Sequence, residues 1–282
     1  MDESRLPRVI EPAELARHRD DARLRVVFVG DAESHARAHI PGSGCIDYAD
    51  LNRQRPPAGG LLPEPGHLAQ VLGRAGITPE THVVACDASG NGRASRLLWT
   101  LDCLGHDNWS LLNGGLVAWH ADGLPLQTGP MPAADTPPYP VSEGITRARA
   151  DRDEVLASLD DPNTLIVDAR SPGEYRGDDR RAVRGGHIPG AVNVEWTRNV
   201  DADNAARLHA PDALRQMYAD AGVTPEHTVI AHCQTHHRSA LTYVVLRYLG
   251  FTQVRGYDGS WSDWGNDPET PIVTGPAPGG AD

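Results

Sequence analysis

The sequence predicts an α/β protein built as two tandem domains, each a mostly parallel sheet flanked by helices. Three observations predict it: an internal repeat, a Pro-rich break near the middle, and short β-branched runs that alternate with segments of helical periodicity. The repeat is the strongest of them. Residues 68–87 read LAQVLGRAGITPETHVVACD and residues 214–233 read LRQMYADAGVTPEHTVIAHC, an offset of 146. Upstream, the His-Ile-Pro-Gly of residues 39–42 returns at 187–190, offset by 148; downstream, the Leu-Gly of 104–105 and Gly114 return at 249–250 and Gly259, offset by 145. A frame kept over most of a domain marks a duplicated unit.

Between the copies, residues 122–142 gather Gly, Pro, Thr and Ala. Such a stretch neither coils nor pairs regularly, so it reads as an extended linker. The domains are expected at 1–125 and 144–282, joined by a linker at 126–143.

Within the second copy, residues 164–168 (TLIVD) and 228–232 (TVIAH) are short apolar runs of the kind found in buried parallel strands. Residues 212–221 carry Leu214, Met217, Tyr218 and Ala221 at helical spacing. Residues 239–249 carry Leu241, Val244, Val245, Tyr248 and Leu249 in the same way, closed by Gly250. In open parallel sheets the loops that leave strand ends carry the functional sites.

One such loop stands out. Cys233, Gln234, Thr235, His236, His237, Arg238 and Ser239 follow the strand at 228–232 and lead into the helix expected from about 239. A helix start offers unpaired N–H groups and positive dipole character, so an anion on Cys233 is stabilised and its thiol pKa is expected to fall. Arg238 and the imidazoles of His236 and His237 are expected to make the mouth cationic. The aligned position of the first copy is Asp87, which offers no thiolate; Cys86 is one residue early, on the strand, and reads as structural. Cys45 and Cys103 sit in apolar or irregular context and read as inert thiols.

Composition excludes other classes. The chain has 282 residues, 39% hydrophobic and 23% charged, with mean hydropathy −0.43, as expected of a globular protein. A net charge of −12, with no lysine, argues against nucleic acid and against an anionic membrane surface. No apolar run approaches the roughly 20 residues needed to span a bilayer. The polar start and the absence of a Cys-x-x-Cys pair lead to the expectation of a cytoplasmic protein with free thiols, no metal and no cofactor. A monomer is the expected state.

Further motifs in the second copy complete the picture. Residues 167–170 (VDAR), Glu174-Tyr175, residues 186–193 (GHIPGAVN) and residues 259–265 (GSWSDWG) resemble the signatures of the tandem-domain rhodaneses, in the same order along the chain. The loop C-Q-T-H-H-R resembles that of the bacterial thiosulfate:cyanide sulfurtransferases in this family. The resemblance covers nearly the whole chain. It implies two rhodanese-like domains, the first inactive, and a Cys233 that takes sulfane sulfur from a small donor such as thiosulfate and passes it as a persulfide to cyanide or a thiol acceptor, including a protein thiol. Residues 234–239 would form the cradle. Arg184 and Trp196 are candidates for donor binding, whereas Asp168, Arg170 and Glu174 read as structural support. His39, His187, Trp261 and Trp264 read as structural or packing residues.

Alternatives are distinguished by the same loop. A 3-mercaptopyruvate sulfurtransferase carries a Gly-Ser-Gly version and a vertebrate-type thiosulfate enzyme carries a lysine; this chain has neither. A cysteine-dependent phosphatase or arsenate reductase places five residues between Cys and Arg, one more than here, around a tetrahedral anion. His232, Cys233, His236 and His237 as zinc ligands lack a nearby second cysteine or carboxylate in sequence. A non-catalytic sulfur carrier would keep the loop but turn over only with a protein acceptor.

Overall fold

The structure is a computed structural model that describes residues 6–130, 134, 136–141 and 148–279. In chain order the first half contains β1 (Val9–Ile10), α1 (Pro12–His18), β2 (Leu24–Val29), α2 (Ala32–Arg37), β3 (Gly44–Ile46), the short strands β4 (Arg53–Arg55) and β5 (Ala58–Leu61), α3 (Pro65–Arg74), β6 (His82–Cys86), α4 (Gly92–Cys103), β7 (Trp109–Leu112) and α5 (Gly115–Ala121). The second half runs β8 (Arg149–Ala150), α6 (Arg152–Ala157), β9 (Thr164–Asp168), α7 (Pro172–Arg176), β10 (Val192–Asn193), β11 (Val200–Asp201), β12 (Arg207–Leu208), α8 (Pro211–Asp220), β13 (Thr228–His232), α9 (Arg238–Tyr248), β14 (Val254–Tyr257) and α10 (Ser260–Trp264).

The repeat read from the sequence is a repeat of topology. One sheet has the order β1-β7-β6-β2-β3 and the other β8-β14-β13-β9-β10, and every pairing in both is parallel. Each central strand, β6 and β13, is buried almost throughout, which is why its residues run apolar without alternation. The helix after β13 is buried from Ser239 to Leu246, so its apolar residues surround it rather than forming one stripe. Trp261 and Trp264 are fully buried in the core of the second sheet with Ile166, Tyr175, Ile188 and Ile230. In the first sheet Trp119 packs with Phe28, Val84, Leu112 and the buried Cys86.

Boundaries differ from the sequence expectation by single residues. Helix α8 starts one position early because Pro211, whose missing N–H and fixed φ suit a first helical turn, opens it. Helix α9 opens on Arg238 rather than Ser239. Around the middle of the chain, residues 131–133, 135 and 142–147 lie outside the described residues. The irregular part that is described docks on α3: Tyr139 N–H donates to the Ala69 carbonyl at 2.8 Å, and the Thr136 hydroxyl to that of Gly73.

The chain divides into two compact units, and these do not follow the repeat boundary. One holds the chain up to Asn52, Pro63 to the mid-chain linker, and Val200–Leu208; the other holds Arg53–Leu62, the chain after the linker to Asn199, and His209 onward. Each unit therefore takes a hairpin from the other half of the sequence, β4–β5 in one case and β11–β12 in the other. In the second unit the backbone of β5 and the residue after it is fastened to the α10 region. Gly59 N–H donates to Ser262 Oγ at 3.1 Å, and Leu62 N–H to Asp258 Oδ2 at 2.8 Å, where Arg149 Nε also donates at 2.8 Å. In the first unit Arg207 pairs with Asp122 and Glu11, and Leu208 N–H donates to Asn113 Oδ1 at 2.8 Å.

Gly60 lies so close to the loop after β13 that a Cβ there would sit 2.1 Å from the Thr235 carbonyl oxygen, a contact that backbone must move to relieve. Gly60→Ala is expected to destabilise the protein by roughly 1–3 kcal/mol, the usual effect of overpacking. Urea unfolding midpoints of the two forms measure it; an unchanged midpoint would show that the hairpin is loosely held.

Candidate active site

Strand β13 delivers Cys233 at its carboxyl end, and α9 begins five residues later. The cysteine is only 1% exposed. Burial alone pushes its thiol up, yet the group is held below the ordinary cysteine value: the charge of Arg238, the Ser239 hydroxyl and the backbone N–H groups of Ser239 and Thr235 together outweigh burial. Nothing comparable happens at two other thiols. Burial, with Asp87 and Cys45 adding to it, drives Cys86 far up, and burial with Asp47 and Asp31 pushes Cys45 up to about 11. All four cysteines are free.

The loop is fixed from several sides. Cys233 N–H donates to Ser260 Oγ at 3.4 Å, Trp261 N–H donates to the Cys233 carbonyl at 2.9 Å, and Ser262 N–H to that of Gln234 at 3.0 Å. Helix α10, read from sequence as packing, thus also holds the loop by its backbone. The Gln234 amide donates to the Arg181 carbonyl at 3.1 Å. His237 stands just before α9, with its ring 6.1 Å from that of the half-buried Trp196.

The expected cationic mouth takes a different form. His236 is fully buried, not at the surface, with Nδ1 2.8 Å from Ser239 Oγ. Arg238 donates two hydrogen bonds to the Glu174 carboxylate, at 2.6 and 2.9 Å. Burial would push the Glu174 carboxyl up, toward its neutral form, but the bonds and charge of Arg238, the Ser171 N–H and Arg181 hold it below the usual range. Glu174 is placed by a capping box with Ser171 at the start of α7, which is why a short helix can present a buried carboxylate. Arg181 reaches the same carboxylate at 3.2 Å while remaining 63% exposed. Sequence reasoning saw Glu174 as local support and did not see its partner 64 positions away; the Ser-x-x-Glu box was the available signal.

Beneath the loop, Asp168 and Arg170 form a fully buried pair at 2.6 Å, with the guanidinium 4.3 Å over the Trp261 ring and also donating to the Gly186 carbonyl. These residues brace β9 against α10. Arg184 is engaged elsewhere than in the Cys233 loop: its guanidinium donates to the carbonyls of Trp264, Asp267 and Thr270 and to the Thr270 hydroxyl. His187 is buried and stacked on Tyr175 at 3.7 Å, and His39 is buried and stacked on His35 at 4.0 Å. Among the described residues no group of three or more His, Cys, Asp or Glu side chains is disposed to hold a metal ion. Among the same residues no helix is long and apolar enough to cross a membrane.

The first unit keeps the loop and replaces its anion. The Asp87 carboxylate accepts from the N–H groups of Ser89, Asn91 and Ala94 at 2.8, 3.0 and 2.9 Å, and α4 begins five residues after it as α9 does after Cys233. The side-chain carboxylate fills the ring of amides from within.

His232, fully buried beside Asp168 at 3.6 Å, is pushed down to about 4 because burial outweighs the attraction of that carboxylate. The unfolded chain therefore binds this proton near pH 6.5 and the folded one only near 4, so stability is complete above about 6.5 and falls as pH drops through that window. His35, also pushed down to about 4, first by burial and then by His39, acts in the same direction. Loss of about 3 kcal/mol per histidine is the upper expectation from a shift of this size. Urea midpoints at neutral pH and at about pH 4.5 test it, and His232→Asn should flatten the difference; a pH-independent midpoint would refute the neutral burial of both rings.

Comparison with known proteins places these features in context. A model of the rhodanese-like domain matches the chain twice, over residues 11–122 and 151–267. The thiosulfate sulfurtransferase of Azotobacter vinelandii is 42% identical over 268 residues, covering 95% of this chain and 97% of that protein. That of Pseudomonas aeruginosa is 42% identical over 269 residues, covering 95% and 98%. The sulfur carrier protein TtuD of Thermus thermophilus is 33% identical over 271 residues, covering 92% and 93%. The crystal structure of an anaerobic ergothioneine biosynthesis enzyme from Chlorobium limicola has the same fold, with a TM-score of 0.84 at 23% identity over 95% of this chain and 70% of that one.

Proposed function

The chain belongs to the rhodanese-like family, and on that premise we propose that it is a thiosulfate sulfurtransferase working through a persulfide on Cys233. The observation that carries the reading is a buried thiol held low by surrounding donors, in a chain whose Cys45 and Cys86 are held high.

The Cys233 thiolate attacks the outer sulfur of thiosulfate. A new S–S bond forms to the enzyme, the S–S bond of the donor breaks, and its electron pair leaves with sulfite. The persulfide that remains carries one negative charge, as the thiolate did. Cyanide, or a thiolate acceptor, then attacks the terminal sulfur; the enzyme S–S bond breaks and its electron pair returns to Cys233. The amides of Thr235 and Ser239 and the Ser239 hydroxyl stabilise the anionic sulfur at rest and as it is regenerated. Arg238, locked on Glu174, supplies a fixed field rather than a mobile clamp.

Thiosulfate treatment should add one sulfur atom to the wild type and none to Cys233→Ala, by intact mass, and only the wild type should then release thiocyanate with cyanide. No mass gain from thiosulfate or from 3-mercaptopyruvate on a folded protein would defeat the reading. Gain without turnover would favour a sulfur carrier, a second reading that the likeness to the Thermus carrier supports.

Arg181 is an exposed cation beside the loop and is suited to meet the donor's sulfonate end. Arg181→Gln should raise KM for thiosulfate severalfold with kcat little changed, the pattern of lost uniform binding. Equal loss in kcat and kcat/KM would instead assign it to the transition state.

A further inference from the structure

His236 adopts φ of 52°, in the left-handed region, with its side chain fully buried. The equivalent residue of the first unit, three positions after Asp87 as His236 is three after Cys233, is Gly90 at φ of 89°. Glycine takes that backbone freely and histidine is strained in it. The same turn is thus built with glycine where the loop carries no thiol, and with a strained imidazole where it does. Strain of this kind persists where a specific contact holds it.

The contact is with Ser239. His236 Nδ1 lies 2.8 Å from Ser239 Oγ, and the Ser239 hydroxyl is one of the groups that hold the Cys233 thiol low. A serine hydroxyl has one proton to give and lone pairs to accept with. When Nδ1 carries hydrogen and donates to Oγ, the serine proton is left for the sulfur.

We propose that His236 is a positioning residue: its Nδ1–H donates to Ser239 Oγ and thereby commits the Ser239 hydroxyl proton to the thiolate of Cys233. This deepens the sulfur-transfer reading of Cys233, on which its purpose rests, but the chain of two hydrogen bonds can be tested on the thiol alone. The charged group acting on the sulfur from α9 is Arg238, held by Glu174 of α7, with Asp168 and His232 at the ends of β9 and β13. None of these is altered in the variants below.

The experiment is the pH dependence of Cys233 alkylation by iodoacetamide, read by peptide mass mapping so that Cys45 is counted separately. His236→Gly installs the residue type of the other unit and relieves the backbone. It should raise the midpoint by about one pH unit, so that alkylation below the midpoint slows about tenfold. Ser239→Ala should move the midpoint the same way, and the double variant should move it no further than the larger single shift, as expected for two groups acting in series. His236→Asn, which tolerates left-handed backbone and keeps an N–H donor, should recover part of the loss. A His236→Gly profile that overlays the wild type, or single shifts that add in full, would overturn the proposal. A purely structural role would change only the unfolding midpoint. Failure of the sulfur-transfer reading shows separately, as absence of thiocyanate from wild type whose alkylation still responds to His236.

Discussion

On the proposed mechanism, a negative charge on the Cys233 sulfur, buried to 1% exposure at the junction of β13 and α9, is the constraint on which the second unit depends. Burial opposes that charge, and no single group near it suffices to reverse the opposition. The compensation is distributed over two amides, one hydroxyl and one guanidinium, and each of these needs support of its own. The amides face the sulfur because the loop curls tightly, which requires left-handed backbone at His236 and carbonyls anchored on α10. The guanidinium is aimed by Glu174, and Glu174 by the capping box of α7. Elements distant in sequence are therefore coupled through one atom.

The first unit shows the same loop relieved of that demand. Its anion is a carboxylate whose two oxygens accept three amides directly, and its turn uses glycine. A carboxylate brings its own charge at neutral pH and needs no guanidinium to create it. Duplication has preserved a backbone that binds an anion, while the choice of side chain at one position decides whether that anion can carry sulfur. The exchange of hairpins adds a second consequence of duplication. Residues 53–62 belong to the unit of Cys233, and Gly59 and Gly60 bring bare backbone against Ser262 and Thr235. The half of the sequence that carries Asp87 thus contributes structure next to the Cys233 loop.

Much of this was legible beforehand, for identifiable reasons. The strands at 164–168 and 228–232 were read with the bounds they have, because central parallel strands buried on both faces leave an uninterrupted apolar signature. The repeat revealed the paired sheets, and the loop pointed to Cys233 as the sulfur carrier of the proposed mechanism. What escaped were relations between side chains far apart in sequence. Arg238 and the histidines were read as a cationic mouth because a list of residue types carries charge but not partners; Glu174 neutralises the first and burial claims His236. Arg184 reads as facing a donor from its place before His187, yet carbonyls at the end of α10 and beyond it occupy its guanidinium. The hairpin went unseen because strands of two to four residues carry too little periodicity to register.

The neutralised arginine bears on how the cycle can run. A free guanidinium beside the sulfur would bind the departing sulfite dianion tightly and hold it, whereas a guanidinium already shared with a carboxylate presents a weaker, oriented field. On the proposed mechanism the enzyme sulfur bears one negative charge before loading and one after it. Donors fixed for the thiolate therefore need only a small displacement to serve the persulfide, and the loop need not switch between two conformations. Attraction for the donor then falls to a cation that can let go, and the exposed Arg181, paired with the same carboxylate, has that character. Dividing the work in this way keeps the sulfur anionic without trapping the product, which a single strong cation would do at the expense of turnover.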